Sequence, residues 1–165
     1  MARYFTPGFI LAFLIVSLAV VFGGPIRPAE AKMALFKGQT VYVPVYSHIY
    51  SGDRERPFYL AATLSIRNTD RNHGIVITAV DYYDSAGKFL KHYLEQPISL
   101  GAMATLRYVV PESDKSGGSG AKFIIQWRSE HPVAEPLIES VMISTKTQQG
   151  ISFTSRGRVL EAVFP

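Results

Sequence analysis

The stretch LAATLSIR, residues 60–67, decides the fold. Leu60, Ala62, Leu64 and Ile66 fall on one side of an extended chain, and Ala61, Thr63, Ser65 and Arg67 fall on the other. That period of two marks a β-strand with one buried face. Working outward, similar runs rich in β-branched and aromatic residues lie at 75–83, 88–94, 105–110, 122–128 and 137–145, with 40–46 before them and 151–159 after. About eight strands are therefore predicted. Turn chemistry separates them: Asn68, Asp70 and Gly74; Asp84 and Gly87; Pro97; the stretch 111–120; Pro132 and Pro136; and Gln148, Gln149 and Gly150. No stretch of 32–165 carries a helical stripe longer than about two turns.

Short strands at regular spacing, each with one alternating face, predict two antiparallel sheets packed face to face. The expected fold is an all-β antiparallel sandwich of immunoglobulin-like form, with a closed barrel as its rival. Phe123, Ile125 and Trp127 share a strand face, so the single tryptophan reads as a core anchor rather than a ligand platform. Ser116-Gly117-Gly118-Ser119-Gly120 reads as a flexible hairpin tip.

The N-terminus is different. Arg3 precedes an apolar run of fourteen residues, 9–22, broken only by Ser17, and Gly23, Gly24 and Pro25 then end any helix. Ala29 and Ala31 supply the small-x-small pattern of a signal peptidase site, so residues 1–31 are expected to be a signal peptide and 32–165 a single exported domain. An uncleaved anchor is the alternative, although the run is shorter than the roughly 18–20 residues that span a bilayer. With no cysteine in the chain, lipidation at cysteine, disulfides and thiol catalysis are excluded, and packing alone must hold the domain. Removing 1–31 leaves 134 of the 165 residues, enough for one real core. It also removes Arg3, Arg27 and Glu30, leaving 15 basic and 12 acidic residues, net +3. Such a mild excess without a block of like charge gives no nucleic-acid arm.

The segments GQTVYVPVYSHIY, LAATLSIRNTD, VDYYDSAGK, GGSGAKFIIQW and QQGISFTSRGRVL, spread over 38–160, resemble an exported bacterial family known as domain of unknown function 3124. The resemblance covers nearly all of the predicted domain. It implies a bacterial origin, an envelope location and a compact β-rich domain, and it assigns no catalytic residues.

Catalytic and metal motifs fail on context. The Gly117–Ala121 stretch approaches a G-x-S-x-G elbow, but Ala121 replaces the last glycine and a strand follows where the elbow needs a helix. His48, His73, His92 and His131 are scattered without H-x-H or H-E-x-x-H spacing, so no metal and no cofactor are expected. Asp70, Asn72 and Asp81 only loosely follow calcium-loop offsets, and Asp81 and Asp84 point to opposite faces of an extended strand. The expected function is a non-enzymatic binding or accessory module of the envelope, whose partner is an envelope protein or a polysaccharide, and which meets the membrane only through its N-terminal segment if that is left uncleaved.

Binding candidates fall in three groups. Tyr42, Pro44, Tyr46 and His48 share one face if the first strand extends that far, with Val41, Val43 and Val45 facing the core, and Tyr82 and Tyr83 add rings elsewhere. Arg156 and Arg158 share a face with Ser152 and Thr154 on the last strand. Between them in kind stands SHIYSGDRERP, residues 47–57, whose turn residues and Pro57 predict a solvated loop carrying Asp53, Arg54 and Arg56. The alternative function, a carbohydrate-binding module or a hydrolase of envelope polymers, would use His48, Asp53 and Glu55 of that loop as acid and base.

Overall fold

The computed structural model describes residues 34–144 and 150–165, apart from the side chains of Ser51 and Arg54. The predicted leader with Ala29 and Ala31, and the predicted turn at Gln148 and Gln149, lie outside the described residues. In chain order the strands are β1 (Leu35–Val45), β2 (His48–Ser51), β3 (Arg56–Tyr59), β4 (Ala61–Arg67), β5 (Ile75–Tyr83), β6 (Phe89–His92), β7 (Ile98–Leu100), β8 (Thr105–Val110), β9 (Ala121–Ala134), β10 (Leu137–Ser144), β11 (Ile151–Arg156) and β12 (Arg158–Val163). Every pairing among them is antiparallel.

One sheet runs β12-β1-β9-β5-β6, with β7 also on β5; the second runs β11-β10-β4-β8; and β2 and β3 form a separate ribbon. The chain alternates between the two sheets, as in immunoglobulin-like sandwiches. No ladder joins them among the described residues, so the fold is a sandwich and not a closed barrel.

The alternation read from LAATLSIR is the alternation that builds the core. Leu60, Ala62, Leu64 and Ile66 are at most 1% exposed and face Val41, Val43 and Val45 of β1 and Phe123, Ile125 and Trp127 of β9 across one continuous core. Trp127 is the expected anchor, and its indole N–H donates to Gln39 Oε1 at 3.3 Å. Burial of these aliphatic and aromatic groups supplies the main stabilisation in a chain without cross-links, on the order of 1.5–3 kcal/mol for each fully buried side chain.

Four strands exceed the expected eight, and each has a local cause. SHIYSGDRERP is not a plain loop: His48 pairs with Tyr59, Ile49 with Phe58, Tyr50 with Pro57 and Ser51 with Arg56, so the segment is a hairpin. Its ribbon has only two strands, where a proline without an N–H costs little. Gly52 and Glu55 take left-handed φ values of 60° and 47°, which close the turn. Strand β7 is only three residues long. The final predicted strand is two, because the chain leaves β11 in one sheet and enters β12 in the other with only Gly157 between them.

The glycine-rich stretch also departs from expectation. It links β8 and β9, which belong to different sheets, so it is a crossover and not a hairpin tip. Nor is it loose: Ser85 N–H and Oγ both donate to Gly117 O, Gly120 N–H donates to Ser85 Oγ at 2.8 Å, and Ser47 N–H donates to Gly118 O at 3.0 Å. Gly117 lies so close to the Tyr82 hydroxyl that a β-carbon there would overlap it. Glycine is required for that approach, not for flexibility.

Candidate functional site

Because alternate residues of β1, β9 and β5 fill the core, the residues between them form the outer face of the six-stranded sheet. Register places three transverse rows there. The first is Pro44, Lys122, Tyr83 and Phe89; the second is Arg158, Tyr42, Ile124, Asp81 and His92; the third is Glu161, Thr40, Gln126 and Ala79. Rows two residues apart are separated by roughly 6.6 Å along the strands, and five strands at about 4.8 Å spacing make a face about 19 Å wide.

The rows differ in chemistry. Rings gather at the β6 edge, where Tyr83 meets Phe89 edge-on at 5.6 Å and Phe89 meets His92 at 4.5 Å. His92 Nδ1 lies 2.7 Å from Asp81 Oδ1, an exposed contact that orients the imidazole. Tyr42 stands half-buried at the centre of the face. The third row is polar, and Thr40 Oγ1 donates to Glu161 Oε2 at 3.4 Å. Beside it lies a shallow depression of about 400 Å³ whose lining includes Thr40, Thr78, Gln126, Glu161 and Val163. Two irregularities in register flank it, one between Thr40 and Val41 against β12 and one between Ile77 and Ala79 against β9. Bulges of this kind re-aim side chains, and here Thr78 is the extra residue.

Charge on this face is mixed. Arg158 and Lys122 stand against Asp81 and Glu161, and the Lys122 ammonium donates to the Asp84 carbonyl at 2.5 Å. The face can stack on flat apolar surfaces and exchange hydrogen bonds, but it does not present a field of one sign.

The predicted site residues divide among three places. Tyr42 and Arg158 lie on this face, opposite each other in register. Tyr46 does not join them: β1 ends at Val45, and the Tyr46 ring packs edge-on against Phe153 of β11 at 5.6 Å. His48 belongs to the hairpin, where its ring meets Tyr50 at 5.3 Å and Tyr59 at 5.9 Å. The expected shared face of Tyr42, Tyr46 and His48 therefore does not form, because the strand breaks at Tyr46 and Ser47. Arg156 and Arg158 are likewise separated. The switch of sheets at Gly157 sends Arg156 to the outer face of the four-stranded sheet, opposite Glu139, and Arg158 to the six-stranded sheet. Asp53, Glu55 and Arg56 are exposed at or beside the hairpin tip, Arg54 is in the turn, and no ion pair joins His48 to Asp53 or Glu55.

Sequence reasoning missed most of the face. Phe89, Gln126, Thr40, Thr78 and Glu161 were not singled out, and His92 was weighed only as a metal ligand, since only the strand register brings them beside Tyr42. It also missed that two of the scattered histidines meet, His73 and His131, with ring centroids 4.6 Å apart. Among the described residues there is still no group of three side chains able to hold a metal. Asp70, which follows calcium-loop offsets only loosely, is spent on turn chemistry. Its carboxylate accepts the N–H groups of Asn72, His73 and Ala134, and those backbone bonds, Asn72 first, lower its pKa. Tyr82, noted as a ring, is a core residue whose hydroxyl meets Ser47 Oγ at 3.2 Å, and burial raises its pKa.

Residues 38–160 match the family described as "Protein of unknown function (DUF3124)". No curated protein matches the chain. One solved structure, titled "Crystal Structure of Thermotoga maritima 1070", is similar at a TM-score of 0.44 and 12% identity, covering 75% of this chain and 96% of that chain. That level of likeness carries no functional argument.

Proposed function

Because this chain belongs to the DUF3124 family, whose description names no activity, we propose its function from the geometry: an exported, non-enzymatic binding module of the bacterial envelope that contacts its partner with the outer face of the six-stranded sheet. One observation carries this reading. Five strands bring Arg158, Tyr42, Ile124, Asp81 and His92 into a single row, flanked by rings on one side and hydrogen-bonding groups on the other. A broad, shallow face of this kind suits an extended partner, whereas a small substrate is normally enclosed in a pocket lined by converging groups. The leader-like N-terminus supports export.

The hydrolase alternative needs His48 beside Asp53 and Glu55. His48 instead lies between two tyrosine rings while both acids point to solvent at the turn, so that cluster does not assemble an acid and a base.

The test is site-specific photo-crosslinking in the native envelope, with the crosslinker at Tyr42, at Gln126, and at Thr63 on the outer face of the opposite sheet. The proposal expects adducts with an envelope component at Tyr42 and Gln126 and none at Thr63. Equal labelling of both faces, or labelling only at Thr63, would refute it.

A further inference from the structure

We propose that the partner of this face is an uncharged polysaccharide chain of hexopyranose rings, lying across the three rows with Tyr42 and Tyr83 stacked on its sugar faces. The inference rests on the binding-module reading above and names its ligand class.

A pyranose ring presents two kinds of surface. Its C–H face is flat and apolar and packs on an aromatic ring, while its rim carries hydroxyls that both donate and accept. The sheet supplies the complement to both within one surface. Tyr42 and Tyr83 place half-buried aromatic rings on neighbouring rows, and Thr40, Gln126 and Glu161 give a hydroxyl, an amide and a carboxylate one row beyond Tyr42. These three together provide donors and acceptors, as a hydroxyl rim requires, where a face built to read phosphate or carboxylate would carry donors alone.

Two features set the length and charge of the ligand. The three rows cover roughly 13 Å along the strands, more than a single sugar ring needs, so the site fits a chain of linked units. The depression of about 400 Å³ beside Thr40 and Gln126 is shallow and lined by hydrogen-bonding groups, which suits the rim of one unit of such a chain. The basic groups on the three rows are offset by Asp81 and Glu161, and His92 is held to Asp81 at 2.7 Å. A polyanion gains little from such a balanced surface, since steering needs charge of one sign.

The occupant is a polysaccharide and not a peptide strand for a geometric reason. A peptide adds to a sheet through an edge, where backbone groups are unpaired. Tyr42 lies on β1, whose backbone is bonded on both sides by β12 and β9, so the centre of this face offers side chains only.

The experiment is affinity electrophoresis of the purified full chain in native gels. The gels contain a soluble β-1,4-glucan, a soluble chitosan-free chitin derivative, or heparin as a polyanion. Wild type is compared with Tyr42→Ala, Tyr42→Phe, Gln126→Ala and Arg107→Ala, the last on the opposite sheet. The inference expects retardation by at least one uncharged polymer, and insensitivity of that retardation to 0.5 M salt, about the concentration at which surface charge is screened. It further expects Tyr42→Ala to weaken it by at least ~5-fold, the worth of one stacked ring, with Tyr42→Phe near wild type, Gln126→Ala reduced and Arg107→Ala unchanged. Because Gln126 is exposed, its variant reads binding even if Tyr42→Ala unfolds. Retardation by heparin alone, or loss of binding in Arg107→Ala equal to that in Gln126→Ala, overturns the inference. No retardation by either uncharged polymer also overturns it. If Tyr42 crosslinks persist in the envelope in that case, the binding-module reading stands without the glycan, and if they are absent too, both fail.

Discussion

Replacing Gly157 by alanine tests how the sandwich is closed and how the face is built. Gly157 is the single residue between β11 and β12, and its N–H donates to Ile138 O at 2.8 Å. A β-carbon there would sit 2.8 Å from Val41 Cγ1, 2.9 Å from Ile138 O and 3.2 Å from Val43 Cγ2. Two of those atoms belong to core valines that are at most 4% exposed, and the third is backbone, so none yields easily. Forcing one methyl into such a space costs typically 1–3 kcal/mol, and stretching the Ile138 bond adds about 0.5–1.5 kcal/mol. Gly157→Ala should therefore lose about 1.5–4.5 kcal/mol, a fall in Tm of roughly 5–22 °C for a domain of this size. The control is Gly101→Ala, where no atom lies within 4 Å of the added carbon and the change should stay within about 0.5 kcal/mol. Both are read by circular-dichroism melts with urea midpoints as a second probe. A Gly157→Ala protein that melts within 2 °C of wild type, with unchanged spectra, would show that the corner is loose and that the placing of Arg158 on the outer face does not depend on it.

Other outcomes follow from buried and titrating groups. Ser47→Ala or Tyr82→Phe should each cost about 1–3 kcal/mol by stranding a buried hydroxyl, and the double variant should cost less than the sum, as measured by a urea double-mutant cycle. Burial raises the pKa of Tyr82, Tyr93 and Tyr108, so the unfolded chain ionises first and stability should hold below about pH 10 and fall as pH rises through the folded values; Tyr82→Phe should flatten that alkaline limb. Asp70 has the opposite sign: its lowered pKa gives stability that is present above the ordinary carboxylate value and lost as pH falls through the folded value, and Asp70→Asn should flatten the acid limb of the urea midpoint. At the hairpin, His48→Ala should cost about 1 kcal/mol by removing two edge-on ring contacts, while Asp53→Ala and Glu55→Ala should stay within about 0.5 kcal/mol.

The fold was legible wherever one strand decided its own burial. Leu60 to Ile66, Val41 to Val45 and Phe123 to Trp127 each alternate without reference to any other strand, and the core consists of those residues. Legibility failed where a second segment set the outcome. His48 and Tyr59 look like loop residues singly, and only their pairing makes a ribbon. Gly157 looks like an ordinary strand glycine, and only the valines of β1 make it a corner. The glycines of 117–120 look like freedom, yet Ser47, Tyr82 and Ser85, from two distant stretches, turn them into close contact.

The candidate face carries the same lesson to its limit. Arg158, Tyr42, Ile124, Asp81 and His92 come from five strands, and none of the five lies within ten residues of another in sequence. Period-two reading could say that Tyr42 points away from the core, because Val41 and Val43 point in, but it could not say what stands beside it. That depends on register, and register is set by the core: shifting β9 by one residue against β1 would bury Ile124 and Gln126 and expose Trp127 and Ile125. The penalty for exposing those large apolar groups is what fixes Gln126 beside Thr40 and Ile124 beside Tyr42. The polar and aromatic rows are thus held in place by residues of the inner side, and a change there, such as Ile125→Ala, should disturb the proposed binding at the outer face only through loss of stability and not through any contact of its own.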